Sequence, residues 1–267
     1  IKLMGLISHE FFHTWNVKRI KPQMFTPYDV HQENYTKLLW WFEGVTSYYD
    51  DLVLYRTGII DKDQYLTIIV ENLNNVYKFA GVTQQSVANS SLTSWVKYYR
   101  QDENSPNSIV SYYVKGSLVA LCLDLLLRSK SQFSLDSVML HLFKLWQVNP
   151  IGVAENEFPA LIQAATGVDL AEFIQQATET TEMLPYVELL AQFGLDLTTR
   201  LAKNHQDSGK FNLNASSAVP LVVGDLGAKL DKQAIGYVVK NVYADTPAER
   251  AGLAANDLII ALNQVKL

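Results

Sequence analysis

A single cysteine, Cys122, stands among 267 residues. A lone thiol excludes an intramolecular disulfide, and its place in the apolar stretch from Leu118 to Leu127 reads as a packed side chain. Basic charge is also short: 22 Lys and Arg against 27 Asp and Glu leave a net charge of −5. No basic patch of the size that nucleic acid demands is visible, and Lys18, Arg19 and Lys21 read as a solvated or locally paired cluster. The longest apolar stretch is broken by Asp124, so no membrane span is expected. No helical or solenoid repeat is apparent. No methionine opens the chain and no signal peptide is present, so it reads as a fragment of a longer protein, and its compartment is not legible. What remains is 48% apolar composition, enough for one large core or two modest ones.

Against that background, His9-Glu10-Phe11-Phe12-His13 is the most informative stretch. It reads H-E-x-x-H. On a helix, positions i and i+4 lie one turn apart on the same face, so one zinc ion can meet both imidazoles. The intervening Glu10 leans toward an open coordination position, where it can take a proton from water. A catalytic zinc needs three protein ligands and one open site. Glu43, in Trp40-Trp41-Phe42-Glu43-Gly44, is the candidate for the third. Leu38, Trp41, Phe42, Val45, Tyr49 and Leu52 recur at helical spacing and make one apolar stripe. A lone carboxylate beside it is costly to bury unless something pairs with it, and a metal removes that cost.

The pattern along the chain is mainly helical. A first helix is expected from residue 1 to about 15, and a second from about Thr36 to Thr57 with Gly58 as its stop. Asp61 and Gln64 make a capping box for a helix ending near Gly81. Residues 82–108 read as polar and irregular, with Trp95, Tyr98 and Tyr99 as anchors. A long apolar helix is expected at 109–129, and shorter ones at 135–147, 156–166, 169–179 and 185–193, with Gly167 and Gly194 between and after them and Pro185 in a first turn. From Leu195 the pattern favours short strands and turns: strands at Gly236–Val242 and Asp257–Asn263, with a short helix at Thr246–Leu253.

Three blocks, HEFFHTWNVKRIKP (9–22), ENYTKLLWWFEGVTSYYDDL (33–52) and SYYVKGSLVALCLDLLLR (111–128), resemble the glycyl aminopeptidase family, peptidase family M61. That family belongs to the gluzincins, thermolysin-like enzymes whose third zinc ligand is a Glu. The resemblance implies a mainly α fold: a thermolysin-like helical catalytic lobe (1–194), preceded in the family by a β-rich region, then a partial PDZ-like β segment (195–267). The PDZ likeness rests on Pro247-Ala248 through Ala251-Gly252-Leu253 and on Asp257 through Asn263. It suggests Leu226-Gly227-Ala228 as a loop holding a peptide carboxylate, and peptide C-termini as partners of that region.

By the same resemblance, one Zn2+ per chain binds His9, His13 and Glu43, Glu10 is the general base, and Tyr113 of Tyr113-Val114-Lys115-Gly116 stabilises the oxyanion. Tyr112 is the alternative, because neighbours on a helix point about 100° apart. Ser47, one turn after Glu43, backbone carbonyls or Asn16 are candidates for orienting the imidazoles. Trp15, Trp40 and Trp41 are expected to pack the floor of the site. The implied function is a zinc aminopeptidase acting on peptides with small N-terminal residues, Gly or Ala. Two other classes stay open: a metalloendopeptidase of related fold, and a non-catalytic PDZ-type scaffold, against which the intact set of five residues argues.

Overall fold

The computed structural model describes residues 2–202, 207–211 and 224–267. Helix α1 (Lys2–Phe12) carries the H-E-x-x-H segment and has no buried residue. After a long loop come α2 (Leu39–Phe42) and α3 (Gly44–Arg56), then α4 (Lys62–Tyr77), α5 (Gly81–Gln84), α6 (Val87–Leu92), a π-helical turn (Ser94–Tyr98) and α7 (Ser105–Ser108). Next are α8 (Val114–Lys130), α9 (Leu135–Val148), α10 (Phe158–Thr166), α11 (Ala171–Glu179) and α12 (Tyr186–Gln192). Gly167 and Gly194, with φ of 73° and 76°, follow α10 and α12 in the left-handed conformation that glycine adopts without cost.

The core is built around α8. Leu118, Val119, Ala120, Cys122, Leu123 and Leu127 are buried on more than one of its faces, the mark of a helix surrounded by protein. It packs against α2, α3, α4, α9 and α12. Burial pushes the Cys122 thiol up to about 12, so it is an inert, packed side chain. Asp124, which interrupts the apolar run, is buried with three donors: the Tyr48 hydroxyl at 2.7 Å, Arg128 Nε at 2.8 Å and the Leu135 amide at 2.7 Å. One buried carboxylate thus ties α3, α8 and the start of α9 together, and its charge is compensated as burial requires.

The expected stripe is inside: Leu38, Trp41, Phe42, Val45, Tyr49 and Leu52 all belong to the core. Trp41 stacks on Phe158 with ring centroids 4.0 Å apart. The second helix differs from expectation in two respects. It starts at Leu39, and its regular geometry is interrupted at Glu43 (φ −105°, ψ −42°). The hydrogen bonds run on through the interruption, from Glu43 N to Leu39 O and from Ser47 N to Glu43 O, each 2.8 Å. The Asp61–Gln64 capping box is present, with bonds of 2.8 and 2.9 Å. The long apolar helix begins at Val114, five residues later than expected. Ser111 starts it by accepting the Val114 and Lys115 amides through its hydroxyl and carbonyl. Residues 82–108 are less irregular than their polarity suggests, since short helical turns fill them. Pro185 sits one residue before α12 rather than within its first turn.

Strands β1 (Ala228–Gln233), β2 (Gly236–Val242) and β3 (Leu258–Ile259) form an antiparallel sheet in that order. Helix α13 (Pro247–Arg250) is capped by Thr246, and β4 (Ala261–Leu262) pairs with β5 (Val265–Lys266). The strand expected at 257–263 is therefore split at Ile260. The Asn107 amide fastens this segment to the helical lobe, donating to Val242 O at 2.8 Å and accepting from Ala244 N at 2.9 Å. Tyr243 packs on Phe79, with ring centroids 4.9 Å apart. Among the described residues, no helix is long and apolar enough to cross a membrane.

The crossing of α3 and α8 is closer than side chains allow. A Cβ on Gly116 would lie 2.6 Å from Trp40 O and 2.9 Å from Gly44 Cα, and one on Gly44 would meet Gly116 Cα at 2.5 Å. Gly116→Ala is therefore expected to force the helices apart and cost roughly 1–3 kcal/mol. Denaturant unfolding checks this, and an unchanged midpoint would show that the contact is looser than described.

Candidate metal centre

Three side chains from two segments of the chain converge. His9 lies on α1, His13 follows just after it, and Glu43 sits at the junction of α2 and α3. Glu43 Oε2 is 3.1 Å from His9 Nε2 and 3.2 Å from His13 Nε2. The candidate ligand atoms all lie within 4.8 Å of one another. The imidazoles stand edge to face, with centroids 4.6 Å apart.

The outer ring nitrogens decide what this means. His13 Nδ1 is 2.9 Å from the carbonyl of Asn16, which can only accept, so Nδ1 carries a proton. His9 Nδ1 is 2.9 Å from Asp50 Oδ2, which fixes the same tautomer. Both Nε2 atoms then turn lone pairs toward a carboxylate oxygen. Three acceptors meeting with no donor repel one another unless a cation joins them. A proton can serve: burial lowers the pKa of His9, but the bonds to Asp50 and Glu43 outweigh it and raise the group to about 9. His13 is likewise raised, burial being outweighed by Glu43 and the Asn16 carbonyl. Burial raises Glu43, yet its bonds to His13 and His9 hold it below the usual carboxylate range. A divalent metal ion can serve equally. Two neutral imidazoles and one carboxylate are a donor set that suits zinc, so the residues fit the implied ion.

One orienting group here was not picked out from sequence. Asp50 orients His9, whereas the candidates had been Ser47, backbone carbonyls and Asn16. Asp50 follows Glu43 by seven residues, two turns along one face, one turn beyond Ser47, a spacing the sequence displays. The second orienting group is the Asn16 backbone carbonyl. The Asn16 side chain is buried and instead donates to Trp41 O, Phe42 O and Thr46 Oγ1 at 3.1–3.4 Å. It pins the loop after His13 to the α2–α3 junction. Trp40 and Trp41 are core residues, while Trp15 is partly exposed and packs on Phe11 and Phe12.

Glu10 is exposed on α1 between the two histidines. Tyr112 and Tyr113 lie just before α8, so the expected helical divergence between them does not apply. Tyr112 is fully buried. The Tyr113 ring stacks on it at 4.7 Å and lies 6.2 Å from the His9 ring. Burial, then the Glu43 charge, raises the Tyr113 phenol, which stays protonated and able to donate. A cleft of about 680 Å3 opens beside Tyr113 and Ser47, and Asp50, Asp51 and Glu71 help to wall it. Burial, and then repulsion from Asp50 and Glu71, pushes the Asp51 carboxyl up to about 7.

The Leu226–Ala228 loop lies apart from this centre. Gly227 has φ of 77°, its amide donates to Asp225 Oδ1 at 2.9 Å, and Leu226 O accepts the Ala248 amide at 2.8 Å.

Residues 2–119 match the M61 glycyl aminopeptidase family, and residues 238–267 match the PDZ domain. The comparison with curated proteins found no match. Among solved structures, the chain is similar to an aminopeptidase N family protein from Idiomarina loihiensis, at 40% identity and a TM-score of 0.89. That similarity covers 99% of this chain and 45% of the other, so the chain spans less than half of its relative's length. Over these two stretches the chain is similar to the M61 glycyl aminopeptidase family and to the PDZ domain.

Proposed function

We propose that the protein is a zinc-dependent peptidase of aminopeptidase type, with His9, His13 and Glu43 holding one Zn2+. The observation that carries this reading is the convergence of two lone pairs and a carboxylate oxygen on one point. When bound, the ion supplies Lewis acidity toward the scissile carbonyl and toward water. Glu10 accepts a proton from the attacking water and returns it to the departing amine. Tyr113 donates its hydroxyl to the carbonyl oxygen as that oxygen gains negative charge. Asp50 and the Asn16 carbonyl hold the imidazoles in one tautomer and orientation.

An aminopeptidase must also recognise a free α-ammonium. The carboxylates of Asp51 and Glu71, in the cleft that reaches Tyr113, are suited to that charge. This favours exopeptidase over endopeptidase action, and the matched family, described as glycyl aminopeptidase, supplies the expectation of Gly at the N-terminus. The PDZ segment adds a proposed site for peptide C-termini at Leu226–Ala228, where an incoming carboxylate must displace Asp225 from the Gly227 amide.

Three outcomes test the reading. In the full-length protein, Glu10→Gln should retain zinc and lose about a hundredfold or more in kcat, because it removes a base and no ligand; equal loss of zinc would make Glu10 a ligand. Peptides with a free N-terminus should be cleaved well over tenfold faster than their N-acetylated forms, and equal rates would point to an endopeptidase. Zinc and a proton compete for His9 Nε2, whose folded pKa is about 9. Zinc affinity, measured by chelator competition, should therefore rise from pH 7 to about 9 by up to about tenfold per unit and then level off. A flat profile would contradict the competition.

A further inference from the structure

Three tyrosine hydroxyls meet beside the metal centre, and the proposed function uses one of them. Tyr112 donates its hydroxyl to that of Tyr99 at 3.2 Å. The Tyr99 hydroxyl is 3.2 Å from that of Tyr113. A phenol has one proton to donate and can accept as well. Tyr99, accepting from Tyr112, keeps its own proton for Tyr113. Tyr113, accepting in turn, has its proton left for the cleft that it lines. We propose that Tyr99 is a positioning residue for Tyr113: the chain Tyr112 to Tyr99 to Tyr113 sets the direction of the Tyr113 O–H and strengthens it as a donor. The inference rests on the reading of Tyr113 as the group that meets the developing oxyanion.

The local backbone brings the three together. Tyr99 closes the π-helical turn, its amide reaching back five residues to Ser94 O at 3.0 Å. Such turns are rare and recur at functional sites, because the extra residue re-aims the side chains that follow. The Tyr98 ring packs on Tyr112 at 4.8 Å and on Tyr113 at 5.8 Å, and its hydroxyl bonds Ser111 Oγ at 3.0 Å. Tyr98 thereby locks the π turn against the turn that starts α8. Tyr99 does something different. Its side chain is largely outside, 61% exposed, so it adds little to the core, yet its hydroxyl lies between the buried Tyr112 phenol and the half-buried Tyr113 phenol. Hydrogen bonds in a chain polarise one another, strengthening each by roughly 10–30%. An oxygen that already accepts a bond is a better donor through its own hydrogen, and a fixed O–H needs no reorientation when charge appears.

Simple aromatic packing is the competing explanation, and it predicts no kinetic effect from removing a hydroxyl. The test compares Tyr99→Phe, Tyr113→Phe and the double variant in the full-length protein on an N-terminal Gly peptide. Tyr99→Phe should lower kcat about tenfold, with KM within about twofold and an unchanged melting temperature, since the bond matters most in the transition state. Tyr113→Phe should lower kcat further, about a hundredfold. The double variant should be no slower than Tyr113→Phe alone, because Tyr99 acts through Tyr113. Multiplying effects would overturn the relay. So would wild-type kcat in Tyr99→Phe beside an impaired Tyr113→Phe, an outcome that leaves the role of Tyr113 standing. Full activity in Tyr113→Phe would overturn both.

Discussion

Two imidazole nitrogens and one carboxylate oxygen meet where only a shared cation, a proton or a metal ion, can hold them together, and the surrounding fold is arranged around that constraint. It demands a positive charge at one point, so every group behind the three must keep them aimed there. Asp50 and the Asn16 carbonyl hold the two rings from behind. The buried Asn16 amide ties the loop after His13 to the start of α3. Glu43 owes its position to a helix junction that packs against α8 with almost no space between backbones, at Gly44 and Gly116. That same crossing sets the turn carrying Tyr112 and Tyr113 beside the histidines.

Much of this was legible in the sequence, for definite reasons. The i, i+4 histidines and the apolar stripe around Trp41 and Val45 obey helical periodicity, which survives translation into structure because it reflects which face is buried. The Asp61–Gln64 box and the glycines at 167 and 194 are local signals with local causes, and the helices they bound lie within a few residues of expectation. Strand β2 and the Thr246-capped helix α13 were similarly clear.

What sequence did not disclose depends on contacts between distant segments. The interruption at Glu43 arises where α3 meets Gly116, more than seventy positions away, and no periodicity marks it. The start of α8 at Val114 reflects Ser111 capping and the packing of Tyr98, while the apolar pattern alone ran back to Ile109. The π-helical turn in a polar stretch was invisible for the same reason. Tyr98 and Tyr99 find partners in the 111–113 turn, far along the chain. The clamp of Asn107 on Val242 and Ala244 joins regions that seem independent when read along the chain.

We propose that the three acceptors are gathered for a zinc ion. X-ray absorption fine structure at the zinc edge of the purified protein tests it most directly. The account predicts one zinc per chain, two imidazoles at about 2.0–2.1 Å and carboxylate oxygen at about 2.0–2.2 Å, with the histidine signature halved in His13→Ala. Zinc bound by sulfur or oxygen alone, or a spectrum unchanged in His13→Ala, would contradict it.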